Sequence, residues 1–179
     1  MTRPGQAQAS RSGPAPSDGT IAARADDPVA YLELATLPSA PFWARRQAKA
    51  ALNAWRMAPE VIETTQLVVS ELVTNAVKTV NPQVAGLADT GIGAIEIVGL
   101  TLRFLPGRIV VEVFDNDLKP PVLADADADS EDGRGLLLVQ ALTKEWGYFF
   151  PPAGGKTVYA VIPAESQPIF RRSAAEDVR

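Results

Sequence analysis

The chain has 179 residues, 46% of them hydrophobic and 21% charged, a balance that suits one soluble globular domain with a core of its own. It contains neither cysteine nor histidine, which excludes disulfides, thiolate and imidazole metal sites, a Ser-His-Asp triad and a phosphohistidine, and leaves Asp, Glu or Lys as any general base. The net charge of −4 argues against a nucleic-acid partner. No apolar run reaches the ~18 residues a membrane span needs, and the N-terminus lacks the apolar centre of a signal peptide, so no membrane is expected and the expected location is the cytoplasm.

Residues 1–28 are rich in Pro, Gly, Ser and Ala and carry few large apolar groups, so they read as a disordered tail. A second tail is expected at 166–179, which leaves one domain over 29–165. VAYLELATLP, from Val29, reads as a short strand ended by Pro38. Ser39 is placed as an N-cap with Pro41 in the first turn, and Phe42, Ala48, Leu52 and Trp55 recur at helical spacing, predicting a helix to about Met57. Pro59 and Glu60 open a second helix, ended before Pro82, with Leu67, Val68, Leu72, Ala76 and Val80 as its apolar stripe.

The period then changes to two. GAIEIVGLTLRFLPGRIVVEVFDND alternates around Pro106-Gly107 and predicts a hairpin of two long strands. An acidic, lid-like loop follows over 116–132. From Asp115 to Asp132 there are seven acids and one base, a local charge of −6 in a chain of −4. GRGLLLVQALTKEW opens a third helix at a glycine pair. GYFF and KTVYAVIP, joined by PPAGG, make a closing hairpin. Helices segregate from antiparallel strands, which predicts an α/β (α+β) two-layer sandwich: a mixed, largely antiparallel sheet covered on one face by about three helices.

Four features carry candidate chemistry. Glu71 and Asn75 lie four apart and share a face of the second helix. A carboxylate and a carboxamide there can ligate a hard cation and polarise a hydroxyl or water, and the same pair also suits a solvated helix edge. Asp115 ends an apolar strand, where a carboxylate accepts from an exocyclic amine or simply starts a turn. Gly133-Arg134-Gly135 opens a helix, where small residues let backbone amides approach phosphate. Gly154-Gly155-Lys156-Thr157 precedes the last strand and also reads as a tight turn.

In order and spacing, ELVTNAV on a helix, an Asp after a strand, a GRG helix start and a GGKT strand start resemble the N, G1, G2 and G3 boxes of the GHKL (Bergerat-fold, histidine-kinase-like ATPase) superfamily. VVSELVTNAV and GRGLLLVQALTKEWGY are most similar to its small bacterial branch, the anti-sigma-factor serine/threonine kinases, over about residues 35–163. The resemblance implies ATP and Mg²⁺ as cofactors, with Asn75 ligating the metal and Glu71 as general base. It implies Asp115 on the adenine amine, Gly133 and Gly135 flanking the phosphates with Arg134 nearby, and Thr157 backing the adenine site. Lys78, within a turn of Asn75, is placed toward phosphate. The implied activity is transfer of the ATP γ-phosphate to Ser or Thr of an antagonist partner and sequestration of a sigma factor, with a homodimer favoured. The alternative is a catalytically weak nucleotide-binding interaction module. Two positions depart from the pattern: Asp117 stands where the superfamily has Gly, and Thr79 stands near where the branch often carries His.

Overall fold

A computed structural model of the chain describes residues 24–78, 96–123 and 134–164. The elements run β1 (Val29–Ala35), α1 (Ala40–Ala54), α2 (Pro59–Lys78), β2 (Ile97–Leu105), β3 (Arg108–Asp115), α3 (Arg134–Leu142), β4 (Glu145–Phe149) and β5 (Lys156–Pro163). The strands form one sheet in the order β1-β2-β3-β5-β4. Every pairing among the described residues is antiparallel, where a mixed sheet was expected. Both expected hairpins form. β2 and β3 close at Leu105 opposite Arg108 over Pro106-Gly107, with Gly107 at φ 75. β4 and β5 close at Phe149 opposite Thr157. The expected tails fall largely outside the described residues, as do Thr79 and Val80.

Strand alternation builds two unequal faces. Ile109, Val111 and Val113 of β3, with Val158, Ala160 and Ile162 of β5, point into the main core. There they meet Val68, Leu72 and Ala76 of α2 and Leu136 and Val139 of α3. The intervening residues Val110, Tyr159 and Val161 form a smaller buried cluster with Leu105 on the opposite face, flanked by Phe149. On that face Arg103 Nε donates to Glu112 Oε2 at 2.7 Å.

The helices differ from the expected stripes in an instructive way. In α1 the buried residues are Ala40, Ala44, Ala48 and Leu52, whereas Phe42 is 52% exposed and sits edge-on to Trp43 with ring centroids 5.3 Å apart. Small alanines let the backbone approach α2 and β1 closely, and the aromatic residues are turned away from the core. Ser39 precedes the helix as expected but makes no side-chain cap bond, because its own backbone is helical at φ −81, ψ −10. Its carbonyl accepts from the amides of Phe42 and Trp43 at 3.1 and 3.3 Å. The helix stops short of Met57, with Trp55 as C-cap and Arg56 left-handed at φ 56. Trp55 then stacks on Phe104 of β2 with centroids 6.3 Å apart. In α2, Leu67 is 47% exposed, and the core face is carried by Ile62, Thr65, Val68, Val69, Leu72, Val73 and Ala76. Thr65 is tolerated there because its hydroxyl donates to Val61 O at 2.7 Å.

Gly147 of β4 lies opposite Tyr159, and a Cβ at that position would come within 2.8 Å of the tyrosine hydroxyl. The glycine makes room for Tyr159 to donate to Glu145 Oε1 at 3.0 Å. Burial and that bond to a carboxylate push the Tyr159 hydroxyl from 10.0 up to about 12.

Two predictions follow from this packing. Ala48→Leu is expected to cost roughly 1–3 kcal/mol by overpacking, and Phe42→Ala to stay within about 0.5 kcal/mol of wild type, both read by urea denaturation. The raised Tyr159 pKa means that the folded chain keeps a proton the unfolded chain has lost. That stabilising contribution, on the order of 2 kcal/mol, is present below pH 10 and is lost as pH rises to about 12. Denaturation midpoints across that range check it, and Tyr159→Phe should flatten the slope.

Candidate functional site

Strand β3 ends at Asp115, and its register partner is Lys156, the first residue of β5. Directly opposed residues point to one face, so both side chains continue the inward row of Val113 and Val158, toward the helices. Lys156 Nζ donates to Asp115 Oδ1 at 2.7 Å and to the backbone carbonyl of Asp117 at 3.3 Å, and it stands 3.5 Å from Asp117 Oδ2. The Lys156 and Asp115 side chains are only 4% and 7% exposed. Burial pushes the Asp115 carboxyl above its ordinary 3.8, and the hydrogen bond and charge of Lys156 oppose that push. The segment after β3 turns on its own side chains. Asp115 Oδ1 accepts from the Asp117 amide at 2.9 Å, and Asp117 Oδ1 accepts from the Lys119 amide at 3.0 Å.

The close approach of β5 to this corner depends on Gly155. It is left-handed at φ 71, and a Cβ there would lie 2.5 Å from Asp115 O and 2.6 Å from the Phe114 ring. Above the pair opens a cavity of about 660 Å³. Leu72, Ala76, Leu136 and Val158 give it apolar walls, while Asn75, Lys78, Asp115 and Lys156 converge as polar groups, with the 117–122 segment along one side. Three lysines and two aspartates line it, a net charge of +1 that suits an anionic ligand.

Asn75, Lys78 and Asp115 therefore meet in one cavity. Glu71, one turn before Asn75, is not among the lining residues. Its carboxylate stands against Gly135 in the first turn of α3, where any Cβ would collide with Glu71 Oε2. Arg134 opens α3 and is exposed, outside the lining. Gly133 and the acids at 125, 127, 129, 131 and 132 lie outside the described residues.

Thr157 requires a correction. It pairs with Phe114, so it lies on the sheet face opposite Asp115, and Lys156 occupies the place expected of it. A shift of one residue along a strand reverses the face. Lys156 and Lys119 are the cavity residues that reading the motifs missed. The hairpin register, counted back from the alternation of KTVYAVIP, is the signal that finds Lys156.

Among the described residues no cluster of three acidic side chains could hold a metal ion by itself. The donor set nonetheless fits Mg²⁺ delivered with a nucleotide. That ion keeps several waters and takes phosphate oxygens, so a single amide oxygen such as that of Asn75 is a sufficient protein ligand.

A family profile described as the histidine kinase-like ATPase domain matches residues 35–162, from the last residue of β1 almost to the end of β5. The chain belongs to that family. Among the described residues, a five-stranded antiparallel sheet and three helices make the α/β two-layer fold expected of a Bergerat domain, and membership implies ATP binding. Among solved structures, this ATPase domain is similar to the RsbU and RsbW domains of Rv1364c from Mycobacterium tuberculosis, at 19% identity and a TM-score of 0.49. The likeness covers 76% of this chain and 32% of that one, so the ATPase domain spans about a third of that chain's length. No curated protein matches it. Among the described residues no helix is long and apolar enough to cross a membrane.

The geometry at Gly155 makes a prediction. Gly155→Ala combines left-handed strain with a clash against backbone and is expected to cost more than about 2 kcal/mol. Gly107→Ala, also left-handed but with nothing within 4 Å of its Cβ, should cost only about 1 kcal/mol. Chemical denaturation of the two variants side by side checks the difference.

Proposed function

We propose that this ATPase domain binds ATP with Mg²⁺ in the cavity over Asp115 and acts as a serine/threonine kinase of the anti-sigma-factor type. It passes the γ-phosphate to a Ser or Thr of an antagonist protein and sequesters a sigma factor, as a homodimer in the cytoplasm. One observation carries the reading: Asn75, Lys78 and Asp115, from two distant parts of the chain, converge on one positively charged cavity of nucleotide size.

In this reading Asp115 accepts a hydrogen bond from the adenine amine, and Asn75 would hold the Mg²⁺, which neutralises phosphate charge when bound. Lys78, at the C-terminal end of α2, places a cation beside the phosphates. The α3 N-terminus, at Arg134 and Gly135, offers amides and a positive dipole end to the same oxygens. Glu71 takes the proton of the attacking hydroxyl. Gly135 leaves the Glu71 carboxylate room at the start of α3. Chemistry of this type is mostly positioning and charge neutralisation, so a shallow set of groups suffices.

A second reading, a nucleotide-binding module without kinase activity, is favoured by the position of Glu71 outside the cavity lining. Two substitutions separate the readings in the full chain. Asn75→Ala is expected to abolish Mg²⁺-dependent ATP binding with the fold intact, measured by titration calorimetry. Glu71→Gln is expected to keep ATP binding and lose phosphotransfer to a cognate antagonist by about 10²–10⁴-fold. Wild-type transfer by Glu71→Gln removes Glu71 as the base, and absence of transfer by the wild-type chain favours the binding module.

A further inference from the structure

The floor of the cavity holds a buried ion pair whose second member has no part in the function proposed above. Lys156 Nζ makes one short bond, 2.7 Å to Asp115 Oδ1, and its other contacts, 3.3 and 3.5 Å, both go to Asp117. Both hydrogen bonds that Asp115 accepts among the described residues fall on Oδ1, which leaves Oδ2 as the open acceptor. The Lys156 side chain is 4% exposed, and the residue lines the cavity beside Asp115. A ligand therefore meets an acceptor and a charged donor side by side, and the donor's long contacts to Asp117 are the ones it can exchange at least cost.

Adenine offers the complementary edge, an exocyclic N–H donor at N6 next to a lone-pair acceptor at N1. We infer that Lys156 is a specificity-determining residue of the base subsite, donating through Nζ to adenine N1 while Asp115 accepts from the N6 amine. This assignment rests on the ATP-binding reading. It also accounts for Asp117. With Lys156 in place, the two aspartates and one lysine carry the charge that Asp115 alone would carry. The second acid holds the ammonium only through contacts of 3.3 and 3.5 Å, which a ligand acceptor can replace. An uncharged residue at 156 would strand both carboxylates in a largely buried corner.

The test compares equilibrium binding of Mg²⁺-ADP and Mg²⁺-1-deaza-ADP, which lacks only the N1 acceptor, to the full chain. The wild type is expected to bind the analogue about tenfold to a hundredfold more weakly, the loss that goes with a charged hydrogen bond. The variant Lys156→Met/Asp117→Gly removes the donor and keeps the net charge of the corner, so it avoids the stranded acid of Lys156→Met alone. It should bind the two nucleotides within about twofold of each other. A readout without any variant uses the Lys156 ammonium ¹⁵N resonance, which should shift on adding ADP and stay in place with the analogue. Equal affinities in the wild type, discrimination retained by the double variant, or an ammonium resonance indifferent to both ligands each overturn the assignment while leaving ATP binding intact. A wild-type chain that binds neither nucleotide overturns the ATP-binding reading itself.

Discussion

The register between β3 and β5 is the constraint on which the rest of the site depends. It sets Lys156 opposite Asp115, so that a carboxylate and an ammonium leave water together. A carboxylate alone at that depth would be costly, and one paired at 2.7 Å with an amide on the same oxygen is tolerable. The pair then does two things. It ends the apolar inward row of β3 and β5 with polar atoms at the cavity floor, and it ties the departing 115–119 segment to the sheet through Asp117. Gly155 makes that register possible by letting β5 start against the backbone of Asp115.

The helical layer meets this floor from the other side through small and branched residues. Ala44 and Ala48 bring α1 close to α2, and α2 in turn spends its core face on valines and leucines. Asn75 and Lys78 sit at the far end of that helix, next to Ala76, where the core gives way to the cavity. Glu71 lies one turn earlier, between α2 and α3, and its position is set by Gly135. The cavity polar groups are thus held by a helix and a sheet corner, and the Glu71 carboxylate takes the space that a side chain at Gly135 would fill.

Much of this is legible in the amino-acid sequence. The change of period from 3.6 to 2 after α2 marked the helical layer and both hairpins, because one-sided burial writes itself into a sequence as periodicity. Asn75 stands out by its spacing of four from Glu71 on one helix face, and Asp115 by ending an apolar strand. What was not legible depended on geometry that spacing alone does not carry. In the α1 stripe Ala48 and Leu52 are buried as expected, but Phe42, which looks like a core residue, is exposed, and Ala40 and Ala44, which look neutral, take the buried places. The resemblance points to Thr157, and only a count of strand register shows that Lys156, 3% exposed, is the residue beside Asp115. The missing side-chain bond of Ser39 depended on a backbone angle that no residue type dictates.

The order β1-β2-β3-β5-β4 also bears on when the site comes into being. Each hairpin joins neighbours in sequence, but Asp115 and Lys156 are 41 positions apart and meet only when the second hairpin docks on the first. Local pairings form early and distant ones late, because the intervening chain must be closed at an entropic cost. During synthesis the N-terminal strands and both long helices can assemble while the pocket still lacks its floor. Ligand recognition is therefore among the last properties the growing polypeptide acquires, and a chain released before β5 would carry Asn75 and Asp115 yet have nothing to neutralise the buried acid.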